Sequence, residues 1–149
     1  MLLLSRVLAL IVLGASCAAA PPEDLAKKAT VRLNLSDETV AQIKAALDSR
    51  STVRLTLRGV SVSQTKEAGG IRVFLNNPKA EGVGDAGFAG AIEPSSGDPK
   101  SETFLMDISS ALAKGRIRDL KTLDVTLTAV PANLRFRVDG VEVTVPIKK

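Results

Sequence analysis

Between Val31 and Val145 the chain alternates apolar and polar residues one by one in six separate stretches, and this sets what it can fold into. They carry Val31-Leu33-Leu35, Val53-Leu55-Leu57, Ile71-Val73-Leu75, Leu123-Val125-Leu127-Ala129, Leu134-Phe136-Val138 and Val141-Val143-Val145. A period of two puts every apolar side chain on one face of an extended strand and leaves the other face polar. That pattern fits antiparallel sheets with one wet face; a buried parallel sheet would read as unbroken apolar runs. Phe88 to Ile92 and Thr103 to Ile108 are further strand candidates. Gly-, Pro-, Asn- and Ser-rich turns separate the runs, as in sandwiches and barrels built from short strands.

Two places break the strand rhythm with helical spacing. Ser36 has the chemistry of an N-cap, Asp37 and Glu38 suit a first helical turn, and Val40, Ile43 and Leu47 follow at helical intervals. One amphipathic helix is therefore expected over about 36–49. A helical turn is expected near 109–114, with Ser109 as its cap and Gly115 as its stop.

Glycines punctuate two of the strands. Gly59 interrupts the run that Val60 and Val62 resume, which marks a bulge or bend. Asp139-Gly140 has hairpin-turn chemistry, yet it reads equally well as a glycine bulge within one long strand. Val53–Ser63 and Leu134–Thr144 share their apolar positions, and each places a Gly-Val pair after a charged residue. The echo suggests two long strands bent alike and paired within one sheet.

The first 19 residues read as an export signal peptide: Arg6, then an apolar run from Val7 to Ala15, then small residues to Ala20. The run is too short to span a membrane comfortably. Two outcomes follow. Cleavage near Ala18 or Ala19 gives a soluble exported product; alternatively Ala15-Ser16-Cys17 resembles the end of a bacterial lipoprotein signal, with Cys17 lipidated and the protein membrane-anchored. Residues 20–29 are expected to be a polar lead-in, and 30–149 one domain. About 130 residues suffice for one hydrophobic core.

What the chain lacks narrows its chemistry. It contains no His, and its single Cys is Cys17 in the signal segment. His-ligated copper, zinc or iron sites, disulfide frameworks and Cys-based zinc sites are all excluded for these residues alone. Ser63-Gln64-Thr65-Lys66 fits Ser-x-x-Lys but trails a strand and has no companion motif. Ser110 and Lys114 share a helical turn as surface residues do. Asp85, Asp98 and Glu102 lack the ligand spacing of a calcium loop, and the glycines around Gly82-Val83-Gly84 precede a strand where a phosphate loop would precede a helix. No catalytic, cofactor-binding or metal-binding residue is assigned, and no cofactor is expected. Charge adds little: 20 basic against 16 acidic residues give +4. The basic runs at Lys114–Lys121 and Lys148-Lys149 have no aromatic residues beside them to stack bases, so no nucleic-acid partner is expected.

From Thr30 onward the order of segments resembles the C-terminal domain of tyrosinases and polyphenol oxidases. Gly70-Ile71-Arg72-Val73-Phe74-Leu75-Asn76-Asn77-Pro78 looks like the segment that carries the family's Lys-Phe-Asp-Val motif, keeping the alternation and the Asn but not the Lys or Asp. Phe88-Ala89-Gly90 is similar to its Phe-Ala-Gly segment. Phe104-Leu105-Met106-Asp107-Ile108, Leu123 to Thr128 and Val138 to Val143 continue the order, and Thr30 to Leu57 resembles the opening strand–helix–strand of bacterial members. The resemblance implies a mainly β fold: an antiparallel β-sandwich of jelly-roll type. It also implies a domain that packs on a copper-binding catalytic domain and shields its active-site entrance, here without that catalytic domain. The partner so implied is a tyrosinase-like copper oxidase, and the function is binding or capping without catalysis. The competing expectation is a free-standing structural or adhesion-type sandwich, as a lipoprotein if Cys17 carries lipid. Phe88, a bulky aromatic beside the glycine-rich loop, is the candidate interaction residue; a place in the ordinary core is its alternative reading.

Overall fold

The computed structural model describes residues 25–63, 69–95, 101–115 and 119–147. The export segment with Cys17, and also Lys66, Asp98, Lys148 and Lys149, lie outside the described residues. The described chain is mainly β. It runs β1 (Lys28–Asn34), α1 (Asp37–Asp48), β2 (Arg54–Val62), β3 (Gly70–Leu75), β4 (Phe88–Ile92), β5 (Glu102–Asp107), α2 (Ser109–Lys114), β6 (Thr122–Val130), β7 (Phe136–Arg137) and β8 (Gly140–Thr144).

Every pairing is antiparallel. The first sheet has the order β1-β6-β3-β4; in the second, β2 lies between β5 on one side and β7 and β8 on the other. The alternating apolar residues point inward from both sheets and merge into one cluster. Leu33, Ile71, Val73, Leu123, Val125 and Leu127 come from the first sheet; Leu55, Leu57, Val60, Phe136, Val141 and Val143 come from the second. Burying each such side chain fully contributes about 1.5–3 kcal/mol. The pairings establish a two-sheet antiparallel plan and do not extend to a jelly-roll connectivity.

The long strand β2 explains the sequence echo. Ser61 and Val62 pair with Arg137 and Phe136, while Arg54 to Arg58 pair with Thr144 to Gly140. Both segments keep one register along the same neighbour, so Val138–Val141 is a bent continuation of one strand line and not a hairpin. The bend sits where Gly59 (φ 63°) faces Asp139, and a Cβ on Gly59 would collide with the Asp139 carboxylate. On its other side, β2 slips register against β5 between Leu57 and Val60, the bulge expected at this glycine.

Both helices lie at the end where β1 and β5 finish and β2 begins. Ser36 caps α1 by accepting from the Thr39 amide at 3.1 Å, and Ile43 and Ala46 enter the core. Helix α2 occupies the expected residues, but Ser109 is not its cap. The Ser109 hydroxyl accepts from the Val53 amide at 2.7 Å, tying the helix to β2, while Asp107 accepts from the Ser109 amide at 2.9 Å. A long-range backbone donor wins the hydroxyl that local capping chemistry would have used. Strand β1 begins at Lys28, and Ala26 exchanges two 2.8 Å hydrogen bonds with Phe136. Strand β6 pairs with Lys28 and its Ala129 donates to the Lys27 carbonyl at 2.8 Å, while β7 holds Ala26, so these residues are drawn into the fold.

Candidate functional site

Phe74 breaks the inside–outside rule of its strand. Its neighbours Val73 and Leu75 point into the main core, so Phe74 faces outward with Arg72, yet it is fully buried. The segment Asn76–Gly87 accounts for this by folding back over the outer face of the first sheet. Its ends are pinned to the sheet: Leu75 donates to the Gly87 carbonyl at 2.8 Å, and Asn76 exchanges hydrogen bonds with Asp124 at 2.8 Å in both directions. Gly87 must be glycine there, because at φ 84° a Cβ would strike the Leu75 carbonyl oxygen. Asn76 itself adopts φ 51°, a left-handed conformation that asparagine tolerates better than most residues.

Side chains hold the middle of the loop. Asp85 accepts from the amides of Glu81 and Gly82 at 2.8 and 2.9 Å, and these bonds hold its carboxyl below the usual carboxylate range. Asn77 donates to the Ala86 carbonyl, and Arg72 reaches up from the sheet to the Glu81 carbonyl, both at 2.9 Å. The glycine-rich segment is thus a fastened structure, with Ala80 buried beneath it.

Phe88 belongs to this outer layer. Its ring packs against Phe74 at a centroid distance of 5.6 Å and an angle of 57°, and the residue is half-buried. It is neither in the main core nor free at a loop tip; it forms one wall of a small satellite cluster. At the crest of the loop stands a residue that strand periodicity and family resemblance both pass over. Val83, between Gly82 and Gly84, is 58% exposed, and no heavy atom lies within 4 Å of a Cβ built on Gly84. An apolar side chain flanked by two glycines inside a polar turn was the available signal.

The remaining sequence candidates are dispersed. Ser63 accepts from the Arg135 amide, and Glu102 accepts from the Ser95 amide, both at 3.0 Å; Asp85 serves its own loop. Among the described residues no group of three His, Cys, Asp or Glu side chains is placed to hold a metal ion. None of the described helices is long and apolar enough to cross a membrane.

Similarity to known proteins lies in the fold. No protein-family model and no curated protein sequence matches the chain. A solved structure of latent aurone synthase, a polyphenol oxidase, from natural source matches 83% of this chain and 25% of its own, at 17% identity and a TM-score of 0.53. The recombinantly expressed latent enzyme matches 87% and 26%, at 19% identity and a TM-score of 0.56. Latent apple tyrosinase matches 89% and 26%, at 16% identity and a TM-score of 0.50. This chain therefore spans about a quarter of the length of the polyphenol oxidase structures whose fold it shares.

Proposed function

We propose that the chain is an exported, non-catalytic capping domain that binds a separate tyrosinase-like copper oxidase and covers the entrance to its active site. One observation carries the reading: most of this chain superposes on a quarter of oxidases known in their latent forms. The residues present do not fit a copper pair, since the sequence holds no His, so oxidation chemistry would belong to the partner. The loop is fastened to the sheet and to itself by hydrogen bonds, and Val83 is its exposed apolar residue. A preorganised apolar tip loses little entropy on entering a pocket, which is what a plug requires.

The test is co-expression of the chain with a tyrosinase-like oxidase that lacks this fold, followed by pull-down and phenol-oxidation assay. A complex with reduced oxidation, in which Val83→Asp restores activity while the chain stays folded, is the expected result. Absence of any complex at micromolar concentrations overturns the proposal.

A further inference from the structure

Strand register sets Lys28, Thr128 and Arg72 in one row across β1, β6 and β3. Adjacent strands lie about 4.8 Å apart, so an ammonium stem and a guanidinium stem flank the threonine on the outer face of the first sheet. The next row on that face carries no such charge. Thr30 and Thr126 hydrogen-bond to each other at 3.0 Å, and Phe74 completes it.

Thr128 stands out because its hydroxyl oxygen is buried and has no hydrogen-bond partner, the one side-chain atom in that condition among the described residues. Leaving such a group unpaired costs about 1–3 kcal/mol. Its neighbours in the row bring positive donors and no acceptor. The row opens into a concave site of about 260 Å³, with Lys27 and Glu81 at its rim and Val130 and Ala132 as an apolar wall. Three cations face one carboxylate among these lining residues. The nearby Asp85 carboxylate, whose Oδ2 accepts from the amides of Glu81 and Gly82, also faces the Lys28 charge, which leaves three cations against two carboxylates. Arg72 donates from Nη1 to the Glu81 carbonyl, a bond that orients its guanidinium along the site.

We propose that this row binds a small oxyanion, carboxylate or phosphate, through the Lys28 ammonium and the Arg72 guanidinium, with the Thr128 hydroxyl, buried between their stems, rotating toward it to donate. An oxyanion can accept from all three groups at once, and charge-assisted bonds of this kind are the strong ones. The site is separate from the loop crest and stands whether or not the capping function does.

The isotope-labelled chain is titrated with phosphate, acetate and benzoate in turn, at ionic strength held constant with chloride, while the amide resonances of Lys28, Arg72 and Thr128 are followed. Saturable shifts confined to this row are expected, weakened roughly tenfold by Arg72→Gln or by Lys28→Gln. Thr128→Val should weaken binding severalfold with thermal stability retained, because it removes an unpaired hydroxyl at constant shape. Tighter binding of benzoate than acetate identifies an organic carboxylate resting on Val130 and Ala132; preference for phosphate identifies the inorganic source. No saturable shift with any anion at tens of millimolar, or shifts that persist unchanged in both charge variants, overturns the proposal.

Discussion

Four carboxylates are held in their charged form by specific donors, and this gives the fold a definite response to acid. Arg32 grips Asp124 with two hydrogen bonds, of 2.8 and 3.0 Å; these and the guanidinium charge keep the Asp124 carboxyl below its usual range. The hydroxyl and amide of Ser109 lower Asp107, Ser95 lowers Glu102, and the loop amides lower Asp85. Each group binds a proton less readily folded than unfolded. The stability they contribute is therefore present above the unfolded value, about 4, and is lost as pH falls through the lower folded values. We predict a thermal midpoint that is flat from about pH 7 to 5 and drops below about pH 4. Circular dichroism melts check this, and Asp124→Asn should remove part of the acid-dependent loss. A midpoint that rises on acidification would contradict it. Arg32 is largely exposed, so high salt should weaken its share.

At the scale of elements, the most informative unit is the bent pair made by β2 with β7 and β8. Gly59 holds a left-handed φ of 63° directly opposite Asp139. Gly59→Ala should cost about 1–2 kcal/mol from backbone strain alone, read as a lower urea midpoint, and more if Asp139 cannot move aside. A midpoint unchanged from the parent would mean that the bend does not need glycine. This unit also shows how far the sequence could be read. The period of two located six of the eight strands, because one face of each meets the core; β4 and β5 were legible only as short strand candidates between turn-rich segments. The shared Gly-Val spacing indicated that the two long runs were bent alike and paired. Whether Asp139-Gly140 turns or continues was open locally, because the deciding fact is which strand Phe136 and Val141 both pair with. Likewise Ser109 reads locally as a cap, since its bond to Val53 spans 56 residues. Burial of Phe74 on the outward face was illegible for the same kind of reason. It depends on a loop folding back, and alternation alone assigns such a residue to solvent.

For the whole molecule, both sheets and both helices bury their apolar faces in one continuous cluster. Neither sheet has a separate core to fall back on, so unfolding should be a single cooperative event. Without Trp or Tyr, intrinsic fluorescence cannot follow it; amide hydrogen exchange at Ile71 and Leu55, one per sheet, can. Coincident urea dependences are expected, and separate ones would show that the sheets open independently. The backbone bonds of Ala26 to Phe136 carry one more consequence. They fasten the chain's entry to the second sheet, two residues before it joins the first at Lys28, at the end away from the helices. Should Cys17 bear a diacylglycerol, the eight residues to Leu25 form a leash of at most about 28 Å. The tether would then attach at the entry end, opposite the helices.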